Sequence, residues 1–113
     1  MATIKRGSSC GDTLAHNDGN YIKRGAFTDE TICRVEGNFI KRGYISEDAL
    51  AHVDGNYYIK RGAASNEAIA RLEGRVLKKA GPSDDPIACI EGAATRAQEF
   101  GLAVGVLLMM GYF

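Results

Sequence analysis

The chain has 113 residues, and its 14 lysines and arginines balance its 14 aspartates and glutamates, so the formal net charge is zero. This balance excludes a global field that would attract nucleic acid or an anionic membrane, and such binding would need a local patch. The hydrophobic fraction of 45% and the charged fraction of 25% argue against disorder. The length predicts a single domain, residues 1–113, that buries a core without disulfides or metals.

The three cysteines and the N-terminus bear on the cellular compartment. Cys10, Cys33 and Cys89 are odd in number and far apart, and none forms a CxxC pair, which argues against a disulfide scaffold or a zinc knuckle. We expect Cys33 and Cys89 to be small apolar side chains of the core, and Cys10, in a glycine-rich stretch, to be an exposed thiol. Residues 1–7 lack the apolar run of a signal peptide, so a cytoplasmic protein is expected.

An internal repeat of 18 residues covers the chain from residue 3 to residue 92. Residues 86–92 open a copy that breaks off, and residues 3–12 are the tail of a copy at the front. Copies one and three share LAH.DGNY, and copies two and four share I.R.EG, which indicates a duplicated 36-residue unit with pseudo-two-fold symmetry. The four full copies, with one tyrosine inserted in the third, are 13–30, 31–48, 49–67 and 68–85.

Each copy is predicted to form a β-hairpin. Segments such as TICRVE and FIKR are rich in β-branched or aromatic residues and are bounded by glycine, as strands are. The Gly-Asn pairs at 19–20 and 37–38 suit two-residue type II′ turns, in which the first residue has a positive φ. In copy three, the stretch 55–57 accommodates the extra tyrosine as a bulge. The stretches GAFTDE and GYISED between copies are predicted to be polar turns.

The turns set the register of each hairpin. Asp18 is expected opposite Tyr21 and His16 opposite Lys23, with the same pattern in copy two. Because alternate residues point to opposite sides of a strand, one face collects the apolar side chains and forms the core. Its members are predicted to be Val35, Ile40, Val53, Ile59, Leu72, Leu77 and Ile90, beside the small residues Ala15, Cys33, Ala51, Ala70 and Ala88, with Arg24, Arg42, Arg61 and Lys79 at the border.

The opposite face carries a row of basic side chains, the sharpest functional feature of the sequence. With its aromatic neighbours, this cation row could bind a polyanion by charge and base stacking. We favour the other interpretation, a solvated sheet face with cross-strand ion pairs, because acidic residues flank the row. The cation row is His16, Lys23, Arg34, Lys41, His52, Lys60, Arg71 and Lys78; the aromatics are Tyr21, Phe39 and Tyr58; the flanking acids are Asp18, Glu36, Asp54, Glu73 and Glu91.

The tandem DGNYIKRG-style motif of residues 3–92, followed by an alanine-rich apolar tail, resembles short tandem bacterial β-repeat proteins, which are mostly uncharacterised. The resemblance implies a repetitive β fold. It implies no known activity and carries no functional residues over to this chain.

Residues 93–113 are predicted to form one helix. Helix formers are frequent, the last charge is Glu99, and the segment is apolar on all sides from Phe100 onward, as in a buried helix. It is too short to span a membrane. One such helix cannot cover a flat sheet of nine or ten strands, so the sheet must curl around it, split into two layers or be covered by a second subunit. The predicted fold is therefore mainly β with a C-terminal helix (α+β), an antiparallel meander of hairpins.

The sequence shows no recognisable catalytic or cofactor-binding constellation. The five serines lie in predicted loops outside any GxSxG motif, and the glycine-rich stretch 7–12 lacks the lysine of a phosphate loop. His16 and His52 occupy equivalent positions but lack further ligands at a metal-binding spacing, so we expect surface histidines paired with acidic neighbours. We therefore predict no cofactor and no metal.

Three functional hypotheses follow. The leading one is a non-enzymatic structural or protein-interaction module, a homo-oligomer that associates through the apolar helix 93–113 or through uncovered sheet. The alternative is a polyanion- or nucleic-acid-binding protein that uses the cation row. The third is an enzyme whose active site is built at a subunit interface.

Overall fold

The computed structural model describes residues 2–7, 11–55, 57–81 and 85–112. The prediction made for Cys10 lies outside these residues. Within them the chain forms ten strands and one helix. The elements are β1 (Ala2–Arg6), β2 (Thr13–Asp18), β3 (Tyr21–Arg24), β4 (Thr31–Glu36), β5 (Phe39–Arg42), β6 (Ala49–Asp54), β7 (Tyr58–Arg61), β8 (Ala68–Glu73), β9 (Val76–Lys79), β10 (Pro86–Gly92) and α1 (Arg96–Met109).

The described strands close into an antiparallel barrel. Each strand pairs with its neighbours in the chain, and β1 also pairs with β10, which closes the sheet. The predicted meander of hairpins and the C-terminal helix are both confirmed. Of the three arrangements left open for the sheet, the chain adopts the first: the sheet curls until its two ends meet, so that none of the described strands has a free edge.

Strands β10 and β1 form the fifth hairpin, although they come from opposite ends of the chain. Lys5 lies opposite Cys89 in the same register in which Lys23 lies opposite His16. The two incomplete copies at the ends of the repeat therefore complete each other. Hydrogen bonds between strands replace the turn that joins the two strands of every other copy.

The predicted registers of the first two hairpins are confirmed pair by pair. Gly19 and Gly37 begin their two-residue turns with φ of 60° and 61°, a conformation that residues with a side chain rarely adopt. In the third hairpin Asp54 lies opposite Tyr58, so three residues of the sequence separate the paired positions, as the inserted tyrosine requires.

Each of the strands β2, β4, β6, β8 and β10 carries a β-bulge that the sequence analysis did not predict. Between β3 and β4, Ile22 lies opposite Cys33 and Lys23 opposite Thr31, so Ile32 has no partner in the ladder. These bulged residues pack on the core, so each bulge adds an apolar side chain near the end of the barrel opposite to the hairpin turns. The equivalent residues of the other copies are Leu14, Leu50, Ile69 and Ile87.

The inward face of the barrel is the predicted core. Its five small residues are fully buried, and its large residues are buried except Val53, which is half-buried against the others. Asn17, which was not predicted to belong to this face, takes the inward position of copy one and is only 4% exposed. The predicted border cations lie at the rim, where three of them form the ion pairs Arg24–Glu30, Arg42–Asp48 and Arg61–Glu67.

Helix α1 lies in the lumen of the barrel. Eight consecutive residues, Phe100–Leu107, are buried, which requires packing on every side of the helix. Thr95 caps the N-terminus in a capping box with Gln98, so the helix begins at Arg96 rather than at 93. Gly111, with φ of 83°, ends it in a Schellman motif.

Two glycines let the helix approach the wall formed by β3 and β4. A Cβ added at Gly101 would lie 2.5 Å from Cγ2 of Val35, and one at Gly105 would lie 3.0 Å from Cγ2 of Ile22. The Sγ atom of Cys33 donates to the Gly101 carbonyl at 3.6 Å. The helix therefore packs against large residues of the wall as well as against the small residues that the sequence indicated.

Candidate functional site

The cation row lies on the outer face of the barrel, at the positions that alternate with the core. Its members pair across each hairpin as predicted: His16 with Lys23, Arg34 with Lys41, His52 with Lys60 and Arg71 with Lys78. The row is far from uniformly exposed, however. His16, Arg34 and Arg71 are only 6–7% exposed, because the chain that follows each hairpin folds back over them.

The histidines bind backbone carbonyls. His16 Nδ1 lies 2.7 Å from the carbonyl oxygen of Gly25, and His52 Nδ1 lies 2.8 Å from that of Gly62. Each histidine thus holds the start of the loop that follows its own hairpin. The prediction of surface histidines paired with acidic neighbours was wrong for His16, because the returning loop supplies a carbonyl and the residue is only 6% exposed. His52 makes the same carbonyl contact but is only half-buried.

The arginines perform the same task in copies two and four. Arg34 Nη1 donates to the carbonyls of Arg42 and Gly43, and its Nε donates to Glu36 at 2.5 Å. Arg71 repeats this arrangement, with Nε donating to Glu73 at 2.6 Å. Histidine occurs with aspartate in copies one and three, and arginine occurs with glutamate in copies two and four, where the two side chains bond along the strand. This gives a physical basis for the 36-residue period of the sequence.

The lysines of the cation row are paired with carboxylates. Lys23 Nζ lies 3.3 Å from both Asp18 and Asp29, and hydrogen bonds to these two groups raise the pKa of Lys23. Glu47 at 2.7 Å and Glu36 at 3.1 Å raise the pKa of Lys41 in the same way. Lys60 and Lys78 reach the acid of their own hairpin, Asp54 at 2.6 Å and Glu73 at 3.3 Å. The predicted acidic neighbours are therefore present at all four lysines.

Glu73 has the strongest ionic environment of the flanking acids. Its carboxylate accepts hydrogen bonds from Arg71, from the Tyr57 hydroxyl at 3.0 Å and from Lys78. These three donors lower the pKa of Glu73 to about 2. Tyr57 is the residue inserted in copy three, so the insertion links that hairpin to the next one.

The predicted aromatic residues contact other rings. Tyr21 stacks on Tyr44 with ring centroids 5.0 Å apart, and Tyr58 meets Tyr57 edge-on at 4.7 Å. Phe39 lies 6.5 Å from the His52 ring. Part of the ring surface that could stack on nucleic-acid bases is thus already in contact within the protein.

A second surface feature escaped the sequence analysis, which treated the stretches between copies as polar turns. Phe27 is 96% exposed in the loop 25–30, and Ile45 is 80% exposed at the equivalent position of the loop 43–48. The sequence does carry a signal of this feature: copies one and two have a large apolar residue at this loop position, whereas copy three has Ala64. We call the large exposed side chains of this half of the barrel the exposed apolar surface: Phe27, Phe39, Tyr44, Ile45 and Tyr58.

An open cleft of about 520 Å³ lies between the turns of the first two hairpins. Asp18, Tyr21, Arg34 and Glu36 line it, together with the backbone of the first turn. Its described lining holds no serine, cysteine or histidine, and the guanidinium of Arg34 is already bound to Glu36 and to carbonyls. The candidate general bases in this lining are the carboxylates of Asp18 and Glu36, and both are already ion-paired, with Lys23 and Arg34.

The described residues show neither a metal-binding cluster nor a membrane-spanning helix. Among them, no group of three or more His, Cys, Asp or Glu side chains could hold a metal ion, and His16 and His52 lie on β2 and β6, with β3–β5 between them. Within the same part of the chain, no helix combines the length and apolarity needed to cross a membrane.

In comparisons with known proteins, no family model, no curated protein and no solved structure matches this chain. The resemblance to tandem bacterial β-repeat proteins stays a prediction.

Proposed function

We propose that this protein is a non-enzymatic interaction module that pairs with a second copy of itself through the exposed apolar surface. The observation that carries the proposal is the exposure of Phe27 and Ile45, at 96% and 80%, on neighbouring loops. Groups of large exposed apolar side chains are typical of protein–protein contacts.

The choice of this surface follows from what the fold encloses. The apolar helix, expected from the sequence to drive association, has Phe100–Leu107 buried inside its own barrel. The apolar face of the described sheet lines the inside of the closed barrel, so the second expected route, uncovered sheet, is also enclosed. The exposed apolar surface is what remains for self-association.

The charges support a second copy as the partner. The formal net charge of zero means that two copies approach without net repulsion. Lys23 and Lys41, below the loops that carry Phe27 and Ile45, are paired with carboxylates and leave no uncompensated field around the contact. A two-fold axis would place the same patch on both sides of the interface. The proposal includes a cytoplasmic location, supported by the buried free thiol of Cys33.

The test is the oligomeric state of a double variant, Phe27→Ser with Ile45→Ser. Sedimentation velocity across a concentration series should show a dimer for the wild type and a monomer for the variant, with unchanged far-ultraviolet circular dichroism. Ala64→Ser, at the equivalent position of copy three, is the matched control and should remain dimeric. A wild type that is monomeric at every concentration, or a double variant that still dimerises, would contradict the proposal.

A further inference from the structure

A separate cavity of about 330 Å³ lies at the end of the barrel where helix α1 ends. Leu14, Val106, Met109 and Met110 form its apolar walls, and Arg6 and Arg24 lie at its polar side. Its volume falls within the range of roughly 300–1,000 Å³ that is usual for small-molecule sites. It lies at the opposite end of the barrel from the hairpin turns and shares no residue with the exposed apolar surface.

The apolar walls come from features described above. Leu14 is the bulged residue of β2, so the bulge supplies one wall of the cavity. Met109 and Met110 end the helix and are half-buried, and unbranched methionine side chains adapt readily to the shape of a ligand. The cavity therefore suits an apolar group of adjustable shape rather than a rigid polar one.

The two arginines of the cavity, Arg6 and Arg24, differ in their ion pairs. Arg24 lies 3.0 Å from Glu30, six residues on, and the two following copies have the same ion pair at the same spacing. Arg6 and Asp12 have this spacing too, yet within the described part of the chain Arg6 makes no ion pair. Arg6, an exposed residue, thus places beside the apolar walls a guanidinium that no described carboxylate pairs with.

The C-terminal end of the helix carries partial negative charge that opposes an anion, and capping reduces this charge here. The carbonyls of Val106, Leu107 and Leu108 already accept hydrogen bonds from the amides of Met110, Tyr112 and Gly111. These bonds satisfy three of the acceptors that would otherwise concentrate negative charge at a helix C-terminus.

We propose that this cavity binds a small free carboxylate with an apolar tail, the carboxylate at Arg6 and the tail against Leu14, Val106 and the two methionines. Arg24 contributes less, because Glu30 neutralises it. Phe27 and Ile45 do not line the cavity, although Gly25, which begins the loop that carries Phe27, does.

The experiment uses octanoate as the probe and the full chain with isotope-labelled methionine methyl groups. The chain has three methionines, so the signals of Met109 and Met110 are readily assigned. Octanoate should shift both signals in a saturable way. Arg6→Gln should weaken octanoate binding about fivefold, as loss of a partly solvated ion pair does. Acetate, which lacks the tail, and octylammonium, which has the opposite charge, should produce no saturable shift at the same concentrations.

The repeat supplies a matched control. Arg42 is equivalent to Arg24 and carries the same charge at the same end of the barrel, but it does not line the cavity. Arg42→Gln should leave octanoate binding unchanged, and amide spectra of both variants would verify that they fold. The assignment is overturned if octylammonium binds as well as octanoate, if Arg42→Gln weakens binding as much as Arg6→Gln, or if the methionine signals do not move.

Discussion

The side-chain oxygen of Asn17 accepts a hydrogen bond from the backbone amide of Ala2 at 2.7 Å, inside the barrel. Asn17 occupies the inward position that is Val35, Val53 and Leu72 in the next three copies. Asn17 is thus the polar member of this series, and its hydrogen bond holds β1, the strand that closes the barrel. The duplicated sequence departs from its pattern where the two ends of the chain meet.

Asn17→Val should therefore destabilise the protein, even though valine is the residue of copies two and three. The change leaves the buried Ala2 amide without its acceptor, which costs about 1–3 kcal/mol of the free energy of unfolding. Urea unfolding followed by circular dichroism measures it. A variant as stable as the wild type would show that water or a shifted β1 replaces the lost bond.

Gly101→Ala should also destabilise, by about 1–3 kcal/mol, because the new methyl group would overlap with Cγ2 of the stiff Val35 side chain. This outcome opposes helix propensity, which favours alanine over glycine by about 1 kcal/mol. Gly105→Ala, with its nearest contact at 3.0 Å, should cost less. Adding Val35→Ala to Gly101→Ala should give a favourable coupling free energy in a double-mutant cycle. Additive effects would mean that the helix does not pack on this wall.

The ion pairs of Glu73 predict a specific pH dependence. Its pKa is lowered from about 4.5 to about 2, so its contribution to stability is full above pH 4.5 and is lost as the pH falls towards 2. Glu73→Gln should therefore flatten the fall in thermal unfolding midpoint between pH 5 and pH 2. Glu91→Gln, at the equivalent position of the fifth hairpin, removes one ion pair with Lys5 and serves as the comparison. Equal flattening in both variants would contradict the special role of Glu73.

The polyanion alternative stays a prediction, and the triple variant Lys23→Gln, Lys41→Gln, Lys60→Gln tests it. Each of these lysines already has a carboxylate within 3.3 Å. We expect a modest decrease in the thermal midpoint and no retention of either protein on heparin or single-stranded DNA. Salt-sensitive micromolar binding by the wild type that disappears in the variant would instead favour the cation row as a binding site.

Local rules determined much of this fold. Glycine at the first turn position and the two-residue alternation of the strands set the hairpin registers and the inward face, because both depend on neighbours within one copy. The all-round apolar character of the segment after Phe100 likewise predicted a buried helix. These features needed no knowledge of how distant parts of the chain meet.

Only the tertiary structure decided that the sheet closes on itself and which loops cover its outer face. The pairing of β1 with β10 joins residues at opposite ends of the chain, and the bond from Ala2 to Asn17 depends on that pairing. The loops that shield His16 and Arg34 bind through backbone carbonyls, which carry no sequence signature. The cavity beside Arg6 exists because the helix ends inside a closed barrel. Such contacts depend on long-range geometry, which the 18-residue repeat does not encode within one copy.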